Sequence, residues 1–114
     1  MLASCLMIKI TYTPEFKKEF KRLSKKFISL SQEMQELIAE LSQNPESGKS
    51  IGKNIFKIRL AVKSKGKGKR GGMRVITYFY SLNDELYLLY LYDKSEQDSV
   101  SSKEIQSVIN SITE

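Results

Sequence analysis

The sequence predicts one α+β domain in which a helical hairpin packs on a mainly antiparallel sheet, in the order β-α-α-β-β-β-α. Three observations predict this fold: helical spacing of apolar residues in 14–43, alternation of apolar residues in 55–94, and a return to helical spacing after residue 101. The composition, 40% hydrophobic and 28% charged residues in 114, is that of one globular domain. We therefore assign residues 1–114 to a single domain, with residues 1–6 as a loose N-terminal extension.

The N-terminal half reads as one strand followed by two amphipathic helices. Met7–Thr13 alternates and is rich in β-branched residues, which predicts a short strand. Thr13 is expected to cap a helix that begins at Pro14. A second helix is expected to begin near Ser29 or Ser31 and to end at Asn44-Pro45. Their apolar stripes consist of Phe16, Phe20, Leu23 and Phe27 in the first helix, and Met34, Leu37, Ile38 and Leu41 in the second.

The C-terminal half reads as three strands and one helix. The strands are predicted at Ile55–Val62, Met73–Tyr80 and Leu86–Lys94, with a turn at Asn83-Asp84 between the last two. Ser101 and Glu104 have the spacing of a capping box, which predicts the start of the final helix. Its apolar side consists of Ile105, Val108, Ile109 and Ile112.

Alternation along these strands predicts two chemically different sheet faces. One face is largely apolar and is expected to pack against the helices; it includes Phe56, Ile58, Leu60, Val62, Val75, Thr77 and Phe79. The other face is expected to collect Lys57, Arg59, Arg74, Lys94 and several tyrosines. In the last strand, strict alternation separates Tyr87, Leu89 and Leu91 from Leu88, Tyr90, Tyr92 and Lys94.

Positive charge is concentrated in one window of the chain. No acid occurs between Glu46 and Asp84, where ten lysines and arginines lie, so this window carries +10 and the rest of the chain −4, for a net charge of +6. Its densest part is "KSKGKGKRGGMR" at residues 63–74, which connects two predicted strands. Such an asymmetry favours a polyanionic partner, with nucleic acid first. A solvated loop without a phosphate contact is the alternative for this connection.

The residue types that the chain lacks exclude several kinds of catalytic and metal site. The chain has no histidine and a single cysteine, Cys5, so it offers no disulfide and no recognisable metal constellation. The basic loop lacks the GxxxxGK[ST] spacing of a nucleotide-hydrolysing phosphate loop. No apolar run is long enough to span a membrane. We expect a cytoplasmic protein without a cofactor, in which lysine, arginine, tyrosine or a carboxylate would carry any catalysis.

Arginines within apolar strands are the strongest candidates for a catalytic role. The planar guanidinium of Arg59 or Arg74 suits a phosphate that undergoes displacement. The alternative is that these arginines face water or pair with Asp93 or Glu96. A lysine crowded by other cations gives up its proton more readily, which makes the lysines near this face candidates for proton transfer. Tyr90 or Tyr92 would either pack in the sheet or stack on a base.

Three segments together resemble the RelE/ParE toxin superfamily, and the RelE-like toxins of the HigB type in particular. They are "FKIRLA", "KGKGKRGGMRVITYFY" and "ELYLLYLYDKSEQD". The resemblance implies a microbial-RNase-like fold and a toxin of a type II toxin–antitoxin module. It implies an enzyme that cuts mRNA in the ribosomal A site, without metal, by attack of the ribose 2′-OH on the adjacent phosphate. The implied partners are a cognate antitoxin and the ribosome with its mRNA.

The resemblance also assigns roles by position. The implied catalytic residues are Lys57, Arg59, Lys69, Arg74, Tyr92 and Lys94. Lys67 and Arg70 match the family's basic loop. Together with Lys63, Lys65 and Tyr90, which the basic window and the strand alternation suggest, they are the expected contacts to RNA or ribosome. The sequence departs from the family after the last strand, where some members carry a tyrosine or histidine and this chain reads "SEQDSV".

Two other functions remain open at this point. ParE-like members of the superfamily inhibit DNA gyrase and do not cut RNA. A small RNA-binding protein without toxicity would also explain the basic window. Supercoiling inhibition with intact mRNA would indicate the first, and salt-sensitive RNA binding with neither cleavage nor growth arrest would indicate the second.

Overall fold

The computed structural model describes residues 8–66, 68 and 71–113, so the predicted extension of residues 1–6 lies outside the described residues. The helices of this part are α1 (Pro14–Lys26), α2 (Leu30–Gln43) and α3 (Ser102–Thr113). Its strands are β1 (Lys9–Tyr12), β2 (Lys49–Gly52), β3 (Ile55–Leu60), β4 (Met73–Tyr80) and β5 (Glu85–Asp93). None of these helices is long and apolar enough to cross a membrane.

The five strands form one sheet in the order β1-β5-β4-β3-β2. β1 runs parallel to β5, and the three other pairings are antiparallel. The predicted α+β class with a mainly antiparallel sheet is therefore confirmed. The sequence did not predict β2, because its four exposed residues, "KSIG", carry little of the β-branched and aromatic signal of a strand.

The helical hairpin packs on one face of the sheet and forms the larger core. The backbone N–H of Phe16 donates to the Thr13 hydroxyl at 3.1 Å, which confirms the predicted cap of α1. Apolar residues at helical spacing turn inward and meet the inward residues of three strands. Each fully buried leucine or phenylalanine contributes about 1.5–3 kcal/mol. The side chains that are almost completely inaccessible include Phe16, Leu23, Leu30, Leu41, Met73, Val75, Leu86 and Leu88.

The third helix packs on the opposite face and forms a second, smaller core. The Ser101 hydroxyl accepts from the Glu104 N–H at 3.1 Å and donates to its carboxylate at 3.1 Å, which confirms the predicted capping box. Ile105, Val108 and Ile109 of α3 pack against Ile76, Leu89 and Tyr92 of the sheet. The expectation that one face would hold the helices and the other would be basic is thus wrong in part. α3 covers a portion of the second face and leaves the rest to the basic residues.

A β-bulge in β5 breaks the alternation that the sequence suggested. Ile76 lies opposite Tyr90 and Thr77 opposite Leu88, so Leu89 has no partner on β4. As a result Leu88 and Leu91 both belong to the core under the hairpin, whereas Leu89 belongs to the core under α3. The predicted separation of Tyr87 and Leu89 from Leu88 is therefore correct, but the prediction that Leu91 lies on the face opposite to Leu88, and Leu89 on the face opposite to Tyr92, is wrong. One extra residue reverses the phase of the strand on one side of the bulge.

Candidate functional site

The sheet register brings the two predicted strand arginines together. Arg59 of β3 lies directly opposite Arg74 of β4, and Arg74 lies directly opposite Tyr92 of β5. Directly opposite residues of antiparallel strands share a face, with Cβ atoms about 4.5–5.5 Å apart. Arg59, Arg74 and Tyr92 therefore form one row across the sheet. We call it the arginine row.

A second row lies one step along the same face. Lys57 lies opposite Ile76 of β4, and Ile76 lies opposite Tyr90 of β5. On its other edge Lys57 lies opposite Lys49 of β2. Lys57 is therefore the cation next to the arginine row, at the place where the core under α3 gives way to charged residues.

The two arginines differ in depth. Arg59 is exposed, whereas Arg74 is only 5% exposed, and its guanidinium donates to the Met73 carbonyl oxygen at 3.2 Å. Arg74 therefore lies at the floor of the site and Arg59 at its surface. The exposed Arg59 guanidinium can therefore bind an anion directly, while the buried Arg74 adds positive charge from beneath.

Tyr92 and Lys94 converge on Asp98, which follows β5. The Tyr92 hydroxyl donates to the Asp98 carbonyl oxygen at 3.5 Å. The Lys94 ammonium lies 3.3 Å from the Asp98 carboxylate. Burial raises the pKa of Tyr92 above its ordinary value, although the positive charge of Arg74 acts in the opposite direction. Tyr92 is thus a neutral phenol at physiological pH, and its ring, which is 3% exposed, is too deep to stack on a base.

Tyr90 is half-buried beside α3. Its hydroxyl donates to the Glu104 carbonyl oxygen at 3.4 Å. Burial, and after it the charges of Glu15 and Glu104, raise the pKa of Tyr90. The predicted RNA contact would have to use the exposed part of a ring that already packs against the second core.

The loop after β3 is attached to the helical hairpin at its first residues. The backbone N–H of Lys63 donates to the buried Glu33 carboxylate at 2.7 Å. The Ser64 and Ser29 hydroxyls lie 2.8 Å apart, and each also accepts the other residue's backbone N–H. The Lys63 side chain is exposed, so it is available for the predicted RNA contact.

Lys65 is placed differently from the solvent-facing lysine that the sequence suggested. Its ammonium lies 2.5 Å from the Asp93 carboxylate, and the two side chains are 5% and 1% exposed. It also lies 5.3 Å from the centre of the Phe27 ring. In this position Lys65 turns inward and offers no ammonium to a phosphate, which argues against the RNA contact that was predicted for it from the basic loop.

The acids at the end of β5 do not pair with the strand arginines. The sequence left Asp93 and Glu96 as possible partners of Arg59 or Arg74. Asp93 pairs with Lys65, and Glu96 pairs with Arg22 of α1 at 2.6 Å. That alternative is therefore wrong for both acids.

Three predicted residues of the basic loop, Lys67, Lys69 and Arg70, lie outside the described residues. The described part shows why glycines are needed there. Gly66 has a φ of +73°, a conformation that side chains disfavour. A Cβ on Gly72 would lie 2.2 Å from the Leu60 carbonyl oxygen. The loop therefore returns to the sheet in close backbone contact with the end of β3.

A groove next to this face has an acidic wall that was not predicted from the sequence. The groove has a volume of about 660 Å³ and lies between α2 and the edge of β3. Glu36 and Glu40 line it from α2, while Lys57 and Arg59 line it from β3. Helical spacing of these glutamates on the exposed side of α2 was visible in the sequence, but nothing local connected them to a strand that follows in the chain.

The chain matches the model of the RelE toxin of the RelE/RelB toxin–antitoxin system over residues 15–113. It belongs to the RelE toxin family. The match covers the hairpin except Pro14, the arginine row, the described parts of the basic loop and the whole of α3. The predicted membership of the RelE-like toxins is thereby confirmed.

Solved structures of RelE toxins share this fold. The isolated Escherichia coli RelE toxin is 14% identical, with a TM-score of 0.58 over 90% of this chain and 97% of that one. RelE in the intact E. coli RelBE toxin–antitoxin complex is 13% identical, with a TM-score of 0.58 over 75% of this chain and 95% of that one. A metal-bound toxin from Helicobacter pylori is 17% identical, with a TM-score of 0.52 over 79% and 98%. At these identities the likeness concerns the fold.

Proposed function

We propose that this RelE-family chain is a ribosome-dependent mRNA endonuclease, the toxin of a type II toxin–antitoxin module. The observation that carries the proposal is the arginine row, flanked on one face by Lys57 and Lys94. Four cations on adjacent strands of one face suit an RNA phosphate better than a neutral ligand. The family to which the chain belongs supports the toxin part of the proposal.

The proposed reaction is a transesterification within the RNA chain. The ribose 2′-oxygen forms a bond to phosphorus, the bond from phosphorus to the 5′-oxygen breaks, and a 2′,3′-cyclic phosphate and a free 5′-hydroxyl result. Negative charge builds up on the non-bridging oxygens in the transition state. Arg59 donates hydrogen bonds to these oxygens from the surface, and the buried Arg74 adds its positive charge from the floor of the site.

Two proton transfers accompany the reaction, and we assign them to lysines on either side of the arginine row. Lys57, after its ammonium has lost a proton to solvent, accepts the proton of the attacking 2′-OH, and the Lys94 ammonium gives a proton to the leaving 5′-oxygen. Lys57 and Lys94 are separated by β4 across the sheet and, since Lys57 lies in the row of Tyr90, by four residues along it, so their backbones are roughly 16 Å apart. Flexible side chains can therefore approach one phosphate from opposite sides. Lys69 is the further candidate for either transfer, and Tyr92 supports Arg74 from the adjacent position.

The proposed contacts to further phosphates and to the antitoxin involve cations on or beside the same face. Lys63, Lys67 and Arg70 of the loop would bind neighbouring phosphates of the mRNA or ribosomal RNA. A cognate antitoxin with an acidic or amphipathic segment would cover these cations and prevent binding to the ribosome. Within the family we place the chain with the HigB-type toxins, and we place its action in the cytoplasm, where translating ribosomes are found.

Primer extension on a reporter mRNA tests the proposal. Cells express the wild type, Arg59→Gln or Lys18→Gln, with the reporter either translated or lacking a start codon. Arg59→Gln removes an exposed guanidinium, so it tests the row without disturbing the buried Arg74. Lys18→Gln is the matched control, because it removes one exposed charge from α1 on the far side of the sheet.

We expect the wild type and Lys18→Gln to cut the translated reporter in phase with its codons. Arg59→Gln should lower the cleavage rate about 10²–10³-fold, as is usual when one donor to a developing oxyanion is lost. Growth arrest with intact mRNA and inhibited supercoiling would contradict the proposal and would indicate a gyrase inhibitor. Intact mRNA with normal growth would leave RNA binding alone.

A further inference from the structure

The C-terminal end of β5 is fixed by a polar cluster, with a buried ion pair at its centre, on the side of the sheet opposite the arginine row. Asp93 Oδ1 accepts from Lys65 at 2.5 Å and from the N–H and hydroxyl of Ser95 at 2.9 and 2.8 Å. The Lys65 ammonium also donates to the Ser95 hydroxyl oxygen at 3.2 Å. We call Lys65, Asp93 and Ser95 the strand-end cluster.

The strand-end cluster is directly connected to the proposed active face. Asp93 stands between Tyr92 and Lys94 in the chain, and it lies opposite Met73, the residue before Arg74. The Lys94 N–H donates to the Gly72 carbonyl oxygen at 3.2 Å, which is where the basic loop enters β4. Lys65 thus joins the start of the loop to the end of β5, while Gly72 joins the end of the loop to the same place.

The other contacts of this region do not replace the ion pair. Lys63 and Ser64 bind Glu33 and Ser29 of the hairpin. These hydrogen bonds hold the start of the loop to the helices, not to β5. The Lys94 pair with Asp98 is largely exposed, since the Asp98 side chain is 93% accessible. Exposed pairs restrict geometry weakly, whereas a charge that is buried with its partner has few alternative positions.

We propose that Lys65 and Asp93 are positioning residues, which hold Tyr92 and Lys94 at a fixed distance from Arg74, and that Lys65 makes no contact with RNA. The inference rests on the proposed endonuclease function and adds to it the residues that set its geometry. Without the ion pair, the start of the loop and the end of β5 can move apart. This happens close to the backbone positions of Arg74, Tyr92 and Lys94. A displacement of about 1 Å at a reacting group lowers the rate about 100-fold.

Steady-state kinetics on programmed ribosomes with a labelled short mRNA test the inference. Lys65→Met keeps the aliphatic stem and removes the charge, and Asp93→Asn serves if that variant fails to fold. The matched control is Lys9→Met, because Lys9 pairs with Glu85 at the opposite end of β5 and is 75% exposed. Assays are run at a temperature at which all variants are folded, as judged by circular dichroism.

We expect Lys65→Met to lower kcat about 100-fold with KM and its salt dependence unchanged, and Lys9→Met to behave as the wild type. A raised KM with a weaker salt dependence and unchanged kcat would show that Lys65 contacts RNA and would overturn the inference. Unchanged kcat and KM would overturn it as well, since the pair would then contribute to stability alone.

Amide hydrogen exchange separates a failure of the inference from a failure of the proposed function. If the wild type cuts no mRNA, the endonuclease proposal fails, but the geometry can still be judged at the Lys94 amide. Faster exchange of this amide in Lys65→Met than in Lys9→Met supports the positioning role. Equal exchange in the two variants overturns it.

Discussion

Replacing Lys65 with methionine should be the most destabilising change of a single charged residue at this site. It leaves the Asp93 carboxylate, which is 1% exposed, without its cation. Removing one partner of a buried ion pair typically costs about 3–5 kcal/mol. Because Asp93 retains the N–H and hydroxyl of Ser95, we expect a value near the lower end, about 3 kcal/mol. For a chain of this size that corresponds to a decrease in Tm of roughly 10–15 °C.

The destabilisation should depend on pH with a definite sign. Burial by itself raises the pKa of Asp93, but the hydrogen bonds from Lys65 and Ser95 outweigh it, so the pKa lies below its ordinary value of 3.8. A depressed pKa contributes stability that is present above pH 4 and is lost as the pH falls through the folded value. Lys65→Met removes the largest of the lowering contributions. The difference in unfolding free energy between wild type and variant should therefore be largest near neutral pH and should shrink below pH 4.

Urea denaturation at pH 7, 5 and 3.5 measures this difference. Lys9→Met is the control: its pair with Glu85 spans 3.8 Å, and because Lys9 is 75% exposed the change should cost at most about 1 kcal/mol. A loss below 1 kcal/mol for Lys65→Met at pH 7 would refute the reasoning, because the ion pair would then behave as an exposed one. If the difference in unfolding free energy between the wild type and Lys65→Met grew on acidification, the predicted direction of the pH dependence would be wrong.

Three further changes test the backbone and the site. Gly72→Ala should cost about 3 kcal/mol in urea denaturation, because its Cβ would lie 2.2 Å from the Leu60 carbonyl oxygen; an unchanged midpoint would contradict that contact. Thr13→Val should lower the unfolding free energy by about 2–3 kcal/mol, since it removes a helix cap and a buried donor, and Thr11→Val is the control. Arg59→Gln should reduce the slope of log affinity against log salt by roughly 0.7 for single-stranded RNA. Fluorescence anisotropy with a labelled oligonucleotide measures that slope, and no change would exclude a phosphate contact.

Local signals in the sequence were sufficient for most of the fold. Thr13 before Pro14 and Ser101 before Glu104 gave the starts of α1 and α3, because a capping side chain acts within three residues of its target. The apolar spacing of the hairpin and the alternation of β3 and β4 were equally local. These elements were therefore predicted to within a few residues.

Features that depend on distant parts of the chain were not predictable in the same way. The inward position of Lys65 depends on Asp93 and Phe27, which come from a later strand and from the end of α1. A run of alternating lysines and glycines carries no sign that one lysine is buried. The same solvent-exposed position was therefore predicted for Lys65 and Lys63, although only the Lys63 side chain is exposed.

The bulge at Leu89 shows how a distant contact determines which residues share the proposed active face. The Thr13 hydroxyl lies 2.7 Å from the Leu89 carbonyl oxygen and 3.2 Å from that of Leu88. It therefore satisfies carbonyls at the point where the extra residue disrupts the ladder between β4 and β5.

Thr13 is 76 residues away from Leu89, so no local window of the sequence contains both partners. The same threonine starts α1 and fixes the phase of β5. With that phase, Leu88 faces the hairpin while Tyr90 and Tyr92 lie opposite Ile76 and Arg74. The strand that carries Tyr92 and leads into Lys94 is thus held at two points. The bulge determines which side chains lie on the face of the arginine row, and the strand-end cluster determines their position along it.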